Sequence, residues 1–236
     1  MAEIIKLGSL YFGGQPQKIG TKYNGERITL GPAAAGKEIQ WVKANGLLIA
    51  DRCVCTDISW EQLDDQGLVF GTPVQIDSNT YLCRCLKVGA QKGAPNEWDA
   101  ALGEAGEDVE IWHWSGQYFW GQETLENQAS RRAVRGYCLA RYWDGDSASH
   151  RHVNLGFRPA LEPLGSEPCS PETLIGKTIR LYGPRGASLE GRLQDVDDYD
   201  FVLTPVVGAP TRRFWTSKAG DDLVVSRDSI LWFTEA

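Results

Sequence analysis

The apolar and alternating segments of this chain are all short, and each is closed by turn residues, so a β-rich fold of many brief strands is the arrangement they permit. Residues 4–14 read as a strand stopped by glycines, and 39–44 followed by 46–50 read as a hairpin. Between them, 20–36 carries several Gly, one Pro and an Ala-rich run, and is expected to be loop. Residues 59–67 begin with a Ser59/Gln62 capping-box pair and end on Gly67, which predicts a short helix. A second hairpin is predicted from 72–76 and 81–88 around Asp77, Ser78 and Asn79. Residues 97–102 suit a helical turn or more, 108–114 return to strand-like alternation, and 155–162 read as a closing strand in which Pro159 demands an edge or a bulge.

Chain breakers concentrate over 165–171, which places a boundary there. Beyond Gly176, short strands are expected at 178–182, 188–195, 200–205, 212–215, 222–225 and 230–233, a near-regular spacing that signals a barrel or meander. The predicted class is therefore α+β and β-rich, with a first module over 1–165 and a small β-barrel over 172–236.

The net charge of −7 repels phosphate backbones, so nucleic-acid binding would need a local basic patch. Arg131, Arg132, Arg135 and Arg141 form the one dense basic cluster, and pairing with nearby acids is the reading taken for it. No apolar run approaches the roughly 18 residues that span a bilayer. An acid near the start, at Glu3, and the lack of a hydrophobic region with a cleavage site predict no signal peptide.

Six cysteines occur, at 53, 55, 83, 85, 138 and 169, and without export their expected state is reduced. Two C-x-C strands could aim four sulfurs at one zinc ion. Zinc sites draw paired cysteines from C-x-x-C turns, however, and 47–55 and 81–86 read as apolar strands in which Cys fills core; no metal is expected. His113, His150 and His152 have no ligand spacing with these cysteines, and the acids Asp195, Asp197, Asp198 and Asp200 read as a solvated turn. No hydrolase elbow, zincin, P-loop or dinucleotide motif appears, so the expectation is no catalysis and no cofactor. Aromatics crowd the region from Trp98 to Trp143; those in strands, including Trp112 and Trp114 on one strand face, are assigned to core, and Tyr142 and Trp143 to a contact surface.

The stretch 131–161 carries a resemblance. Arg132-x-x-Arg135-Gly136, an irregular polar insert, and the closing Gly156, Phe157 and Arg158 resemble the end of the C-type-lectin-like fold shared by formylglycine-generating-enzyme relatives and by variable proteins of diversity-generating retroelements. What the resemblance implies is a ligand face on the insert, with Tyr142, Trp143, Asp144, Asp146, Ser147, Ser149, His150, His152 and Asn154 as contact residues and Gly156, Phe157 and Arg158 as scaffold. The enzymes of that group use a redox-active cysteine arrangement in this region, where only Cys138 falls, so the implied role is binding. The tail is similar to Sm-like barrels through Leu189-Glu190-Gly191-Arg192-Leu193, Asp195, and the run from Asp222 to Ile230. The resulting expectation is a phage or other mobile-element recognition protein, cytoplasmic or virion-associated, that interacts with a host through a protein, glycan or small-molecule ligand. The alternative makes the C-terminal barrel an RNA-binding or oligomerising module; no membrane partner is expected.

Overall fold

The structure, a computed structural model, describes residues 2–165, 170–206, 214 and 217–236. Strands make up 49% and helices 13%, which fixes a β-rich α+β class with sheets curled as half-barrels. In chain order come β1 (Glu3–Phe12), β2 (Gln15–Pro16), β3 (Thr21–Lys22), β4 (Ile28–Gly31), β5 (Glu38–Ala44), β6 (Leu47–Ala50) and β7 (Cys55–Thr56). Helix α1 (Trp60–Asp65), β8 (Thr72–Ile76), β9 (Asn79–Cys85), α2 (Glu97–Ala105) and α3 (Val109–Trp112) follow. Next are β10 (Tyr118–Leu125), β11 (Gln128–Gly136), β12 (Trp143–Ser147), β13 (Leu155–Phe157) and β14 (Pro159–Gly165). The last set is β15 (Thr178–Tyr182), β16 (Ser188–Val196), β17 (Asp200–Pro205), β18 (Ser217–Ala219), β19 (Asp222–Ser226) and β20 (Trp232–Glu235).

They form three sheets. The first runs β2-β1-β5-β6-β14-β9-β8 with β4 paired to β1; the second runs β12-β11-β10-β13-β7-β3; the third runs β18-β19-β17-β16-β15-β20. Both faces of the first sheet are covered. Ile39, Trp41, Leu48, Ala50, Cys83, Cys85 and Leu161 pack into one core with Trp120, Val134 and Phe157 of the second sheet. Val42, Ala44, Leu47, Ile49 and Ala160 pack into another with Trp98 and Leu102 of α2, Trp112 of α3, and Phe119. This is why β6 is apolar at every position: a strand buried on both sides has no polar face to offer. The third sheet closes over its own core, which includes Leu174, Ile179, Leu181, Leu189, Leu193, Phe201, Leu203 and Val225.

The β5–β6 hairpin turns at Asn45 and Gly46, both with positive φ, 49° and 74°. The predicted loop over 20–36 contains β4, because Ile28 and Leu30 alternate into the core and pair with residues 9–12 of β1. β1 changes partner at Gly8, whose φ of +61° makes the bend and whose Cβ would lie 2.8 Å from the Gly31 carbonyl oxygen. The predicted strand at 108–114 is a helix: Asp108 caps α3, and His113 ends it in the left-handed region at φ 43°. The predicted closing strand is two strands, β13 in the second sheet and β14 in the first, with Arg158 between them.

Pro159 is not on an edge. It pairs with Cys85 of β9, while on the other side β6 pairs only with Ala160 and Leu161, so no N–H is required of it there. Of the expected C-terminal strands, the one at 212–215 lies, apart from Phe214, outside the described residues, as do Cys169 and positions 166–169 of the expected boundary.

Candidate functional site

The insert after Arg141 is not irregular throughout. Its first part is β12, the edge strand of the second sheet, held by β11 with Trp143 opposite Arg135, Asp144 opposite Val134 and Asp146 opposite Arg132. Directly paired residues share a face. Trp143 accordingly turns inward with Phe119 and Ala133, packs against the core beneath α2, and donates its indole N–H to the Gly89 carbonyl oxygen at 2.9 Å. Asp144 and Asp146 take the opposite face, beside Val134 and Arg132.

From Ala148 the chain leaves the sheet but stays pinned to it. The buried Ala148 donates its N–H to Ser130 O and accepts from Glu61 N at the start of α1. Asp57 N donates to His152 O, and Arg151 Nε returns a bond to Asp57 O at 2.9 Å. His150 Nδ1 meets the Asp146 carboxylate at 2.7 Å, His152 Nδ1 meets Asn154 Oδ1, and Ser147 Oγ lies 3.3 Å from Ser149 Oγ. Ser147, Ser149, His150 and His152 are exposed; Tyr142, Asp144, Asp146 and Asn154 are half-buried. His113 lies apart from these, against Arg52 and the Asp51 carboxylate.

Two tyrosines of the aromatic-rich region from Trp98 to Trp143 extend this surface. The rings of Tyr118 and Tyr137 stack at 4.6 Å and 4°, and Tyr142 lies 6.2 Å from Tyr118. Tyr137 is 39% exposed and sits at φ 78°, a conformation rare for a bulky side chain. Its N–H donates to Trp114 O and Gln117 O, which keeps the strained position in place. Burial, followed by Tyr142, Asp144, Cys138 and Tyr137 nearby, pushes the Tyr118 phenol up to about 12, so it remains a proton donor at neutral pH. Gly136 pairs with Tyr118 across the β10–β11 ladder, a register that no short window of sequence contains.

The residues expected to be scaffold are buried. A Cβ on Gly156 would lie 2.3 Å from the Cys55 carbonyl oxygen, so the position admits nothing larger than glycine. The fully buried Arg158 donates to Trp112 O at 2.7 Å and lies over Trp98 and Phe119, at 5.0 Å and 4.8 Å from the ring centroids. Burial lowers its pKa, against the opposing pull of the Cys53 and Asp51 groups.

The basic cluster is engaged within the protein. Arg135 pairs with Asp99, Arg141 with Glu107 at 2.5 Å, Arg131 bonds Gly145 O, and Arg132 covers the Trp60 ring at 4.3 Å. Cys53, Cys55, Cys83 and Cys85 are buried within the two large cores, and Cys138 is exposed. Among the described residues, no group of three or more His, Cys, Asp or Glu is arranged to hold a metal ion. In the turn after β16, Asp197 accepts from the backbone N–H of Tyr199 and Asp200, both at 2.8 Å, which holds its carboxyl below the usual range.

No family model, curated protein or solved structure matches this chain. Among the described residues, no helix is long and apolar enough to cross a membrane. What the surface offers chemically is aromatic stacking area beside carboxylates and imidazoles able to accept and donate hydrogen bonds.

Proposed function

We propose that the chain is a non-catalytic recognition protein: a C-type-lectin-like module over 1–165, a small Sm-like barrel over 172–236, and a ligand face at 142–154. Its ligand is a protein, glycan or small molecule. Carrying this reading is the stacked pair Tyr118–Tyr137 with Tyr142 beside it, bordered by Asp144, Asp146, His150 and His152; Tyr118 and Asp144 lie on the sheet face that also carries the core residues Trp120 and Val134, and Phe119, Ala133 and Trp143 pack on the opposite face. Tyrosine supplies contact area with few rotatable bonds, and short polar residues adapt their hydrogen bonds to the ligand. A phage or mobile-element origin and a host-facing role belong to the same proposal, because they rest on the resemblance of residues 131–161.

Sequencing this locus across closely related isolates tests it. Substitutions concentrated at 142–154, with Gly156, Phe157 and Arg158 spared, are expected; an even spread removes the reading. Variants then separate contact from packing. Trp143→Ala should cost about 2 kcal/mol, below the range for a fully buried Trp because the ring is only half-buried, whereas Tyr142→Ala should stay within about 1 kcal/mol. Urea midpoints check both, and a large loss at Tyr142 would reassign it to the core.

The second reading makes the C-terminal barrel an RNA-binding or oligomerising part. In its favour, among the described residues β18 and β20 end the third sheet without pairing to one another, and such edges can pair with a second copy. A monomeric mass in light scattering counts against it.

A further inference from the structure

A cleft of about 520 Å³ lies where the third sheet meets the first part of the chain. One wall is the segment bearing Tyr23 and Arg27 together with Gln62, Asp65 and Gln66 of the α1 region; the other is the Pro184–Gly186 turn with Leu231. The two parts touch closely at its end. A Cβ on Gly67 would lie 2.9 Å from Arg185 Cα, and one on Gly186 2.5 Å from Phe70 Cβ, with both glycines at positive φ. Only glycine permits that approach in those conformations.

The cleft's charges are unusual for this molecule. Arg52, Arg84, Arg135, Arg141, Arg151, Arg180 and Arg227 each face a carboxylate within 4.0 Å. Arg27 and Arg185 line the cleft, are exposed, and have no side-chain partner among the described residues. In a chain of net charge −7, two unengaged guanidiniums facing one cavity stand out, and among the described residues Asp65 is the one acid lining it.

Neutral donors sit between them. Gln66 Oε1 accepts from Ile28 N at 2.7 Å and its Nε2 donates to the Tyr23 phenol oxygen at 3.1 Å, so the Tyr23 O–H proton is left to donate elsewhere. Burial raises the Tyr23 pKa and keeps that proton in place. Gln62 spends its Oε1 on Ser59 N, which leaves its Nε2 as the free end. Leu231, 48% exposed, and Pro184 supply an apolar wall.

We propose that this cleft binds a phosphate-bearing small molecule, with the phosphate between Arg27 and Arg185 and the body of the ligand against Pro184 and Leu231. Guanidinium forks match phosphate oxygens in pairs, and the volume falls within the range of small-molecule sites. None of the lining residues belongs to the ligand face at 142–154, and the test of this site does not depend on that reading.

Calorimetric titration of the full chain with inorganic phosphate and with adenosine monophosphate decides it. Binding of the nucleotide is expected, weakening about tenfold or more in Arg27→Gln and again in Arg185→Gln, with unchanged melting temperatures showing that both variants fold. Asp65→Asn should bind more tightly than the wild type, an improvement that misfolding cannot produce. Absence of binding at millimolar nucleotide and phosphate overturns the proposal. So does equal binding by the Arg27→Gln/Arg185→Gln double variant, or a preference for citrate over phosphate.

Discussion

Individual side chains here are decided by burial more than by type. The four cysteines of the two C-x-C pairs serve as core atoms, and burial pushes Cys53 up to about 11 and Cys83 up to about 12 from an ordinary 9.0. Because the folded values lie above the unfolded ones, keeping these thiols neutral contributes stability that is fully present below about pH 9 and is lost as pH rises through 11 to 12. The urea midpoint should therefore be level up to about pH 9 and fall above it. In Cys83→Ala the midpoint starts lower but falls less steeply; an identical alkaline slope would place the titration elsewhere.

Elements depend on local caps that packing then secures. Helix α1 has six residues, too few to persist alone, but Ser59 Oγ accepts from Gln62 N and Gln62 Oε1 accepts from Ser59 N, each at 3.1 Å, while Trp60 and Leu63 are buried. Ser59→Ala should cost about 1 kcal/mol in urea unfolding; no measurable loss would mean that the buried pair alone holds the helix. Segment 108–114 shows packing overriding pattern. Its alternation suits a strand, but the Trp112 indole donates to Gly106 O at 2.8 Å and the Trp114 indole to Glu107 O at 3.0 Å, folding the segment back on itself. Trp112 then meets Trp98 edge-on at 4.9 Å. Segment 20–36 errs the other way, since the Ile28-Thr29-Leu30 alternation was present in the sequence and only the neighbouring glycines concealed it.

For the whole molecule, the question is what ties the third sheet to the first two. Gly186 rests on Phe70 and Gly67 on Arg185, and the cleft lies beside these contacts. Gly186→Ala places a methyl group against Phe70 at a φ of +69°, so the contact should open. Calorimetry is then expected to resolve two transitions in the variant and one in the parent chain. A single transition at the parent temperature would mean that this contact does not couple the parts.

The sequence by itself determined the β-rich class, the β5–β6 and β8–β9 hairpins, the cap of α1 and most of the C-terminal strands, because each is written in neighbouring residues as alternation, turn chemistry or a capping pair. Only the tertiary structure decided what those elements meet. Trp41 donates its indole N–H to the carbonyl of Leu7, 34 residues away, and Trp143 to that of Gly89, 54 residues away. The inward turn of Trp143, the interior place of Pro159, the Tyr118–Tyr137 stack and the presence of Arg27 and Arg185 in the lining of one cleft all follow from such contacts. Local periodicity fixes which face of a strand a residue takes, but whether that face meets core, solvent or a distant arginine is set by partners that no short window of sequence contains.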